Sequence, residues 1–350
     1  MKTIKEIAQE ANVSEGTVDR VLHNRGGVSK KTEEKVRAII KEYNFSVNPV
    51  ASALALKNKF NIAVLIPAHN KSDLFWKSPN LGITKAAEDI KTFGTQVQTL
   101  TYNQQKPESY INTFHELLKS NPSAFIIAPS FSEETRNIVA ILDDKKIPYL
   151  FLNIEIEGFN NLSFVGQDSF TAGYIAAKLM LSKTTESSEF LIIQSRKNIT
   201  NNNAVFKRIE GFTNYFVKNE IPCKILTLEI ESQDSKTLRK TKINTYLNNH
   251  PDIKGVFVPS SRIHMLVDCM ADTYLKTLEL IGFDNTPQNI ECLKNNSVSF
   301  LISQKPFNQG YNAVKLMNDY LVKNNIPSHK IYLPIDILIK ENVIYNENSY

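Results

Sequence analysis

The chain has 350 residues, more than one ordinary core accommodates, so two or three domains are expected. Its composition, 42% hydrophobic and 22% charged, is that of a soluble globular protein, and no apolar run approaches the roughly 18 residues of a membrane-spanning helix. The net charge of +5 is small and by itself a weak signal of nucleic acid, but residues 1–60 concentrate most of it, with 11 lysines and arginines against 7 aspartates and glutamates.

Ile4, Ile7, Ala8 and Ala11 fall at helical spacing and predict a short amphipathic helix. Asn12-Val13-Ser14 breaks it, and Ser14 is placed to cap a second helix by accepting from the Thr17 N–H. Val18, Val21 and Leu22 form the buried face of that helix and leave Glu15, Gly16, Thr17, Asp19, Arg20 and His23 outside. A third helix starts after Ser29 and is expected to bury Val36, Ile39, Ile40 and Tyr43. Three short helices with a tight turn between the first two describe a helix-turn-helix over residues 1–46; a small bundle that merely packs on a neighbour has the same periodicity. Asn48-Pro49 then reads as an N-cap followed by proline at the first helical position. The segment 47–59 is an apolar, small-residue hinge helix or linker, too short to be stable alone in water.

From residue 60 onward short β-branched runs alternate with amphipathic helices. NIAVLIP, QVQTL, AFIIAP and PYLFLN are followed by a second set, EFLIIQS, CKILTLEI, GVFVP and LELIGFD. Helices are expected near 80–93, 107–119, 133–144, 205–219 and 236–249. This alternation predicts an α/β core of two lobes, each with a parallel sheet covered on both faces, and ligands in such folds bind at the carboxyl ends of strands. The lobes are placed roughly at 60–165 plus 285–310, and at 166–284 plus 311–350. Cys223, Cys269 and Cys292 are widely separated with no CxxC pair, so no metal site, disulfide framework or cofactor is expected. The opening MKTIKEIAQEANVSEG contains no apolar h-region of about 7–15 residues, so a cytoplasmic protein is expected.

The N-terminal segment resembles the headpiece of the LacI family along its whole length. The matches run from Ile7, Ala8, Ala11, Val13, Ser14, Thr17, Val18, Arg20, Val21 and Leu22 through Val28, Ser29, Thr32, Lys35, Val36 and Tyr43 to Asn48, Ala51 and Leu54. The core resembles the periplasmic sugar-binding-protein fold of the same regulators, through GITKAAEDI, VGQDSFTAGYIAAKLM, RIEGF, LIGFD and SFLISQKPFNQGYNAVKLM. The resemblance implies a repressor that binds a pseudo-palindromic double-stranded DNA operator as a homodimer, controlled by a small effector of the sugar class.

It also implies roles for particular residues. Glu15 and Gly16 take the two variable base-reading positions, and Arg20 the arginine that reaches base edges, where bidentate contact to guanine is available. Thr3, Ser14, Thr17, His23, Asn24, Ser29 and Asn48 are assigned to DNA contact, the hydroxyls chiefly to phosphate, with His23 either a contact or a plain solvent-facing side chain. Ala51 and Leu54 belong to the hinge, whose leucine wedges into the minor groove. Asp19 departs from the usual serine, and Gly16 has no side chain with which to read a base. In the core the implied ligand residues are Asp73, Phe75, Trp76, Asn153, Asp168, Arg208, Ser260, Arg262, Asp284 and Gln304. Carboxylates, amides and a guanidinium beside Phe-Trp suit a sugar, with its hydroxyl edges and apolar faces. Trp76 is either a platform or core, and Asp168 either faces ligand or caps the helix that begins near Phe170.

No GxSxG, HExxH, GxGxxG or GxxxxGK[ST] occurs, so an enzyme is not expected. A solute-binding protein without gene regulation would explain residues 60–350 but not the headpiece. A nucleobase or other non-sugar effector stays open, as do the sign of the response and any assembly beyond a dimer.

Overall fold

The computed structural model describes residues 3–22, 26–43, 45, 60–70, 74–185, 188–194, 203–231 and 234–347. An N-terminal helical unit and an α/β unit from Phe60 onward form separate compact bodies. The helical unit comprises α1 (Ile4–Ala11), α2 (Glu15–Leu22) and α3 (Lys30–Glu42). Thr3 starts α1 with a capping box: its N–H donates to the Glu6 carboxylate at 2.6 Å and its hydroxyl accepts from the Glu6 N–H. Asn12 ends the helix in the left-handed region at φ 55°, a conformation asparagine tolerates better than most residues. Two residues later Ser14 Oγ accepts from Thr17 N at 3.2 Å, as its position predicts. Ile7, Ala8, Ala11, Val18, Val21, Val36 and Ile39 close the core between the three helices. Tyr43 corrects the expectation of burial. It lies just past the end of α3, is 40% exposed, and reaches Glu10 Oε1 through its hydroxyl at 3.0 Å. Helical spacing marks which way a side chain points only while the helix continues, and here it has stopped.

The α/β unit contains two six-stranded sheets. In chain order its first half is β1 (Phe60–Pro67), α4 (Lys77–Ile90), β2 (Thr95–Tyr102), α5 (Pro107–Leu118), β3 (Ala124–Ile127), α6 (Ser132–Asp144), β4 (Tyr149–Leu152) and β5 (Phe164–Gly166). Next come α7 (Ser169–Lys183), β6 (Glu189–Gln194), α8 (Asn203–Lys218), β7 (Lys224–Glu229), α9 (Lys236–Asn249), β8 (Ile253–Phe257), α10 (Ile263–Val267), α11 (Asp272–Leu275) and β9 (Glu279–Phe283). The chain closes with α12 (Pro287–Lys294), β10 (Phe300–Ser303), α13 (Pro306–Lys323), β11 (Lys330–Tyr332), β12 (Asp336–Leu338) and α14 (Ile344–Glu347).

The sheet orders are β11-β5-β4-β3-β1-β2 and β12-β10-β9-β8-β6-β7. Every pairing in the first is parallel, and in the second only β10 with β12 is antiparallel. The central strands β3 and β4 are buried along their whole length, which is why they read as unbroken apolar runs.

The chain crosses between the lobes three times, after β5, after β10 and after β11. The lobe boundaries expected from the sequence are therefore wrong at the C-terminal end. Residues 285–303 belong to the second lobe, since β10 pairs with β9, while α13 packs on α4 of the first. Only 336–347 of the final stretch returns to the second lobe, through β12. Strand–helix rhythm is the same in both lobes, so it carries no mark of which sheet a strand joins. The crossings are tied to one another. Gln167 Nε2 donates to Ser303 O at 3.0 Å, Leu333 N to Gly166 O at 2.8 Å, and Lys305 pairs with Asp336 at 2.5 Å.

Each lobe also holds one helix pair in unusually close contact. A Cβ at Gly82 of α4 would stand 2.0 Å from the Phe307 carbonyl oxygen, and one at Gly310 of α13 would stand 2.1 Å from that of Pro79. In the second lobe the arrangement is likewise reciprocal: a Cβ at Gly173 of α7 would stand 1.9 Å from Arg208 O, and one at Gly211 of α8 would stand 1.9 Å from Phe170 O.

Candidate functional site

On α2 the buried Val18 and Val21 turn inward, and Glu15, Gly16 and Arg20 stand exposed on the opposite side. Arg20 reaches the loop before α3, where Nη1 lies 3.4 Å from the position of a Gly27 Cβ. Gly27 has φ 80°, so a glycine there supplies both the backbone conformation and room beside the guanidinium. The hydroxyls of Thr3, Ser14 and Ser29 all serve as helix caps, Ser29 accepting from Thr32 N at 3.2 Å. Thr17 is half-buried with its Oγ1 2.9 Å from Ser14 Oγ. A capping hydroxyl retains further hydrogen-bonding capacity, so these roles leave phosphate contact open to them. His23, Asn24, Asn48, Ala51 and Leu54 lie outside the described residues, as does Asp73 in the core.

In the α/β unit several of the sequence-predicted residues lie at the carboxyl ends of strands. Asn153 follows β4 and Asp284 follows β9, each the fourth strand of its lobe, and both have positive φ, 67° and 69°. Asparagine and aspartate are the side-chain-bearing residues that adopt this backbone most readily. Gln304, on the second crossing, joins them. Its Oε1 accepts from Asn153 Nδ2 at 2.9 Å and its Nε2 donates to Asp284 Oδ1 at 2.8 Å. One side chain thus bridges the two lobes.

Arg208 stands beside Asp284 in the second lobe, only 4% exposed. Its guanidinium lies 3.9 Å from the centroid of the Phe283 ring, and Nη1 donates to Pro259 O at 3.0 Å. Among the described residues its Nε has no hydrogen-bond partner. Burial pushes this guanidinium down to about 10, with the Asp284 charge opposing the shift, so it remains charged at neutral pH. The backbone of α8 at Arg208 is fixed by the Gly173 contact, which makes its position a consequence of helix packing.

Phe75 and Trp76 lie edge to face at 5.3 Å, both largely buried just before α4. Phe75 lines a cavity of about 550 Å³ between the lobes, with Leu74 and Pro306 on one side and Asp284, Thr286 and Ile290 on the other. Trp76 does not line it and packs as core. Ser260 and Arg262 follow β8 and are half-buried. Asp168 is not brought to this cavity. It caps α7, accepting from Thr171 N at 3.0 Å, and borders a separate hollow of about 170 Å³ with Lys207 and Lys330.

Two residues of the polar cluster escaped the sequence reading. Gln309 Oε1 accepts from Asn153 Nδ2 at 2.9 Å and its Nε2 donates to Gln304 O at 2.7 Å. Fully buried Asn289 donates to the carbonyls of Ser261, Phe283 and Asp284, holding the loops that carry the site. Both sit on helices at core positions, where a polar residue is the available signal of such a role. Among the described residues no group of His, Cys, Asp and Glu could hold a metal, and no helix is long and apolar enough to cross a membrane.

Comparison with known proteins places two families on the chain. Residues 3–48 match the bacterial regulatory proteins of the lacI family, and residues 62–325 match a periplasmic binding protein domain. The ribose operon repressor of Halalkalibacterium halodurans is 25% identical over 361 aligned positions, covering 100% of this chain and 99% of that protein. The sucrose operon repressor of Lactococcus lactis is 24% identical, covering 92% of this chain and 93% of that protein. A crystal structure assigned to a LacI transcriptional regulator of Bacteroides fragilis superposes with a TM-score of 0.77 at 27% identity, over 82% of this chain and 99% of that one.

Proposed function

The chain belongs to the lacI family of bacterial regulatory proteins, with a periplasmic-binding-protein domain as its sensor, and from this premise we propose that it is a cytoplasmic repressor of a sugar operon. The relatives named above are operon repressors for ribose and sucrose. The observation that carries the sugar reading is the Asn153–Gln304–Asp284 bridge with Arg208 beside it. A carboxylate, two amides and a guanidinium converge at the ends of strands from both lobes, the donor and acceptor set that a polyhydroxylated ring satisfies.

Two chains present their α2 helices to successive major grooves of a pseudo-palindromic operator, with Arg20 reading a base edge. The hinge around Leu54, by family resemblance, holds the minor groove between them. A sugar bound across the bridge favours one arrangement of the lobes, and operator affinity changes by its differential affinity for the two arrangements.

The test starts from a duplex selected out of a random pool by the full-length protein. Operator affinity is then measured with and without ribose, glucose, sucrose and maltose, with thermal unfolding in parallel. One sugar should raise the unfolding midpoint, by about 2.7 kcal/mol of stabilisation at a hundredfold excess over its Kd, and alter operator affinity. Failure to select any duplex over non-specific background would overturn the regulatory reading. A selected duplex with no response to sugar would overturn the sensor half alone.

A further inference from the structure

The cavity between the lobes changes character along its length. At its inner end stand the buried polar residues Asp284 and Thr286, and Asp284 is bonded to Gln304 and lies beside Arg208. Beyond them one face of α12, carrying Pro287, Ile290, Glu291 and Lys294 at i, i+3, i+4 and i+7, forms a wall. Leu74, Phe75 and Lys77 of the first lobe face it. Leu74, Phe75, Pro287 and Ile290 give this outer chamber an apolar lining, while Lys77, Glu291 and Lys294 are exposed at its rim. A volume of about 550 Å³ lies in the range of cavities that enclose drug-sized ligands. A single pentose or hexose, with about a dozen heavy atoms, is a small occupant for a cavity of that class. Seated on the inner polar groups, it would leave the apolar walls of the outer chamber facing water.

We propose that the outer chamber is a second saccharide subsite and that the effector is an oligosaccharide of at least two units, an inference that rests on the sugar reading. The first ring takes the polar cluster. The second lies between Leu74 and Ile290, its apolar face against those side chains and its hydroxyl edge toward the charged rim. The chamber is continuous with Asp284, so a second ring joined to the first would reach it. Amphipathic faces with polar edges are what distinguish a sugar ring from a purely apolar appendage, and the chamber offers both kinds of wall.

Calorimetric titration of the full-length protein tests this with ribose, glucose, fructose and galactose, set against sucrose, maltose, cellobiose and lactose. One disaccharide should bind at least about tenfold more tightly than either of its component monosaccharides. Leu74→Asp, a substitution in a half-exposed loop, should reduce that preference to within about threefold by weakening the disaccharide more than the monosaccharide. A monosaccharide that binds as tightly as every disaccharide containing it would overturn the second subsite and leave the sugar sensor standing. An unaltered preference in Leu74→Asp would overturn the placement of the second ring. Silence from all eight sugars would overturn the sugar reading and this inference with it.

Discussion

Arg208 carries a charge where water does not reach, stacked on Phe283 and donating to Pro259 O, with its Nε unpartnered among the described residues. A base whose folded pKa is lowered costs stability in full at every pH below that value. The cost is relieved only as the pH climbs past about 10. At neutral pH the desolvation of this charge therefore works against folding, and on the proposed reading a bound sugar would offset it. Replacing it with a neutral side chain of similar length should remove the penalty at the expense of one hydrogen bond. Arg208→Met is expected to leave the unfolding midpoint of the ligand-free protein unchanged or higher and to abolish the sugar-induced shift. A midpoint lowered by several degrees would mean that the cation stabilises the fold. Arg20 calls for the opposite kind of experiment, because it is exposed and its removal leaves the α2 core intact. Arg20→Ala should weaken operator binding by about 1–3 kcal/mol and relax the preference at one base position, as read by selection from a random duplex pool. An unchanged preference would remove Arg20 as a reader.

At the scale of elements, the two glycine-notched helix pairs set how closely the helices of each lobe approach. In α7 with α8 and in α4 with α13, a glycine of each helix lies against a carbonyl of the other, and a methyl group on either would enter the opposing backbone. Backbone cannot rotate away as a side chain can, so the helices must separate. Gly82→Ala and Gly173→Ala should each destabilise the protein by about 1–3 kcal/mol in denaturant unfolding. Gly173→Ala, which presses on Arg208 itself, should also weaken sugar binding, and an unchanged sugar affinity would show that Arg208 is positioned independently of this contact. The sequence marked the existence and order of these helices and strands, because buried parallel strands such as AFII and YLFL are unbroken apolar runs and the helices between them are amphipathic. It placed Asn153, Asp284, Gln304 and Arg208 at strand ends or on the α8 helix through family motifs. What stayed hidden was membership. Three crossings between lobes leave no trace in periodicity, so β10 and α13 were assigned to the wrong lobes. Gln309 and Asn289 are ordinary polar residues in the chain, and only the contacts reveal that one braces Asn153 and the other the Asp284 loop.

For the whole molecule, the proposed function asks how a sugar in the cleft would alter a separate helical unit, and Gln304 is the side chain that bridges the two lobes. Asn153 belongs to the first lobe and Asp284 to the second, and the Gln304 side chain is bonded to both. Any change in lobe arrangement must stretch or exchange one of these bonds. On the proposed reading, sugar hydroxyls at the same atoms would replace them, which would link occupancy to lobe arrangement. Gln304→Leu keeps the approximate volume and removes both bonds. It leaves Asn153 Nδ2 with its second acceptor, Gln309 Oε1, so the first-lobe side of the cluster stays satisfied. Allosteric coupling free energies are typically about 1–3 kcal/mol, that is, about 5- to 150-fold in affinity. In Gln304→Leu the ratio of operator affinities with and without sugar should collapse toward unity, while sugar-free operator binding stays within about threefold of the unsubstituted protein. Linkage makes this checkable from the other side, since operator DNA must then lose its effect on sugar affinity by the same factor. A variant that still binds sugar and still responds with the full ratio would place the coupling elsewhere, in which case the tied crossings at Gln167–Ser303 and Lys305–Asp336 become the elements to cut.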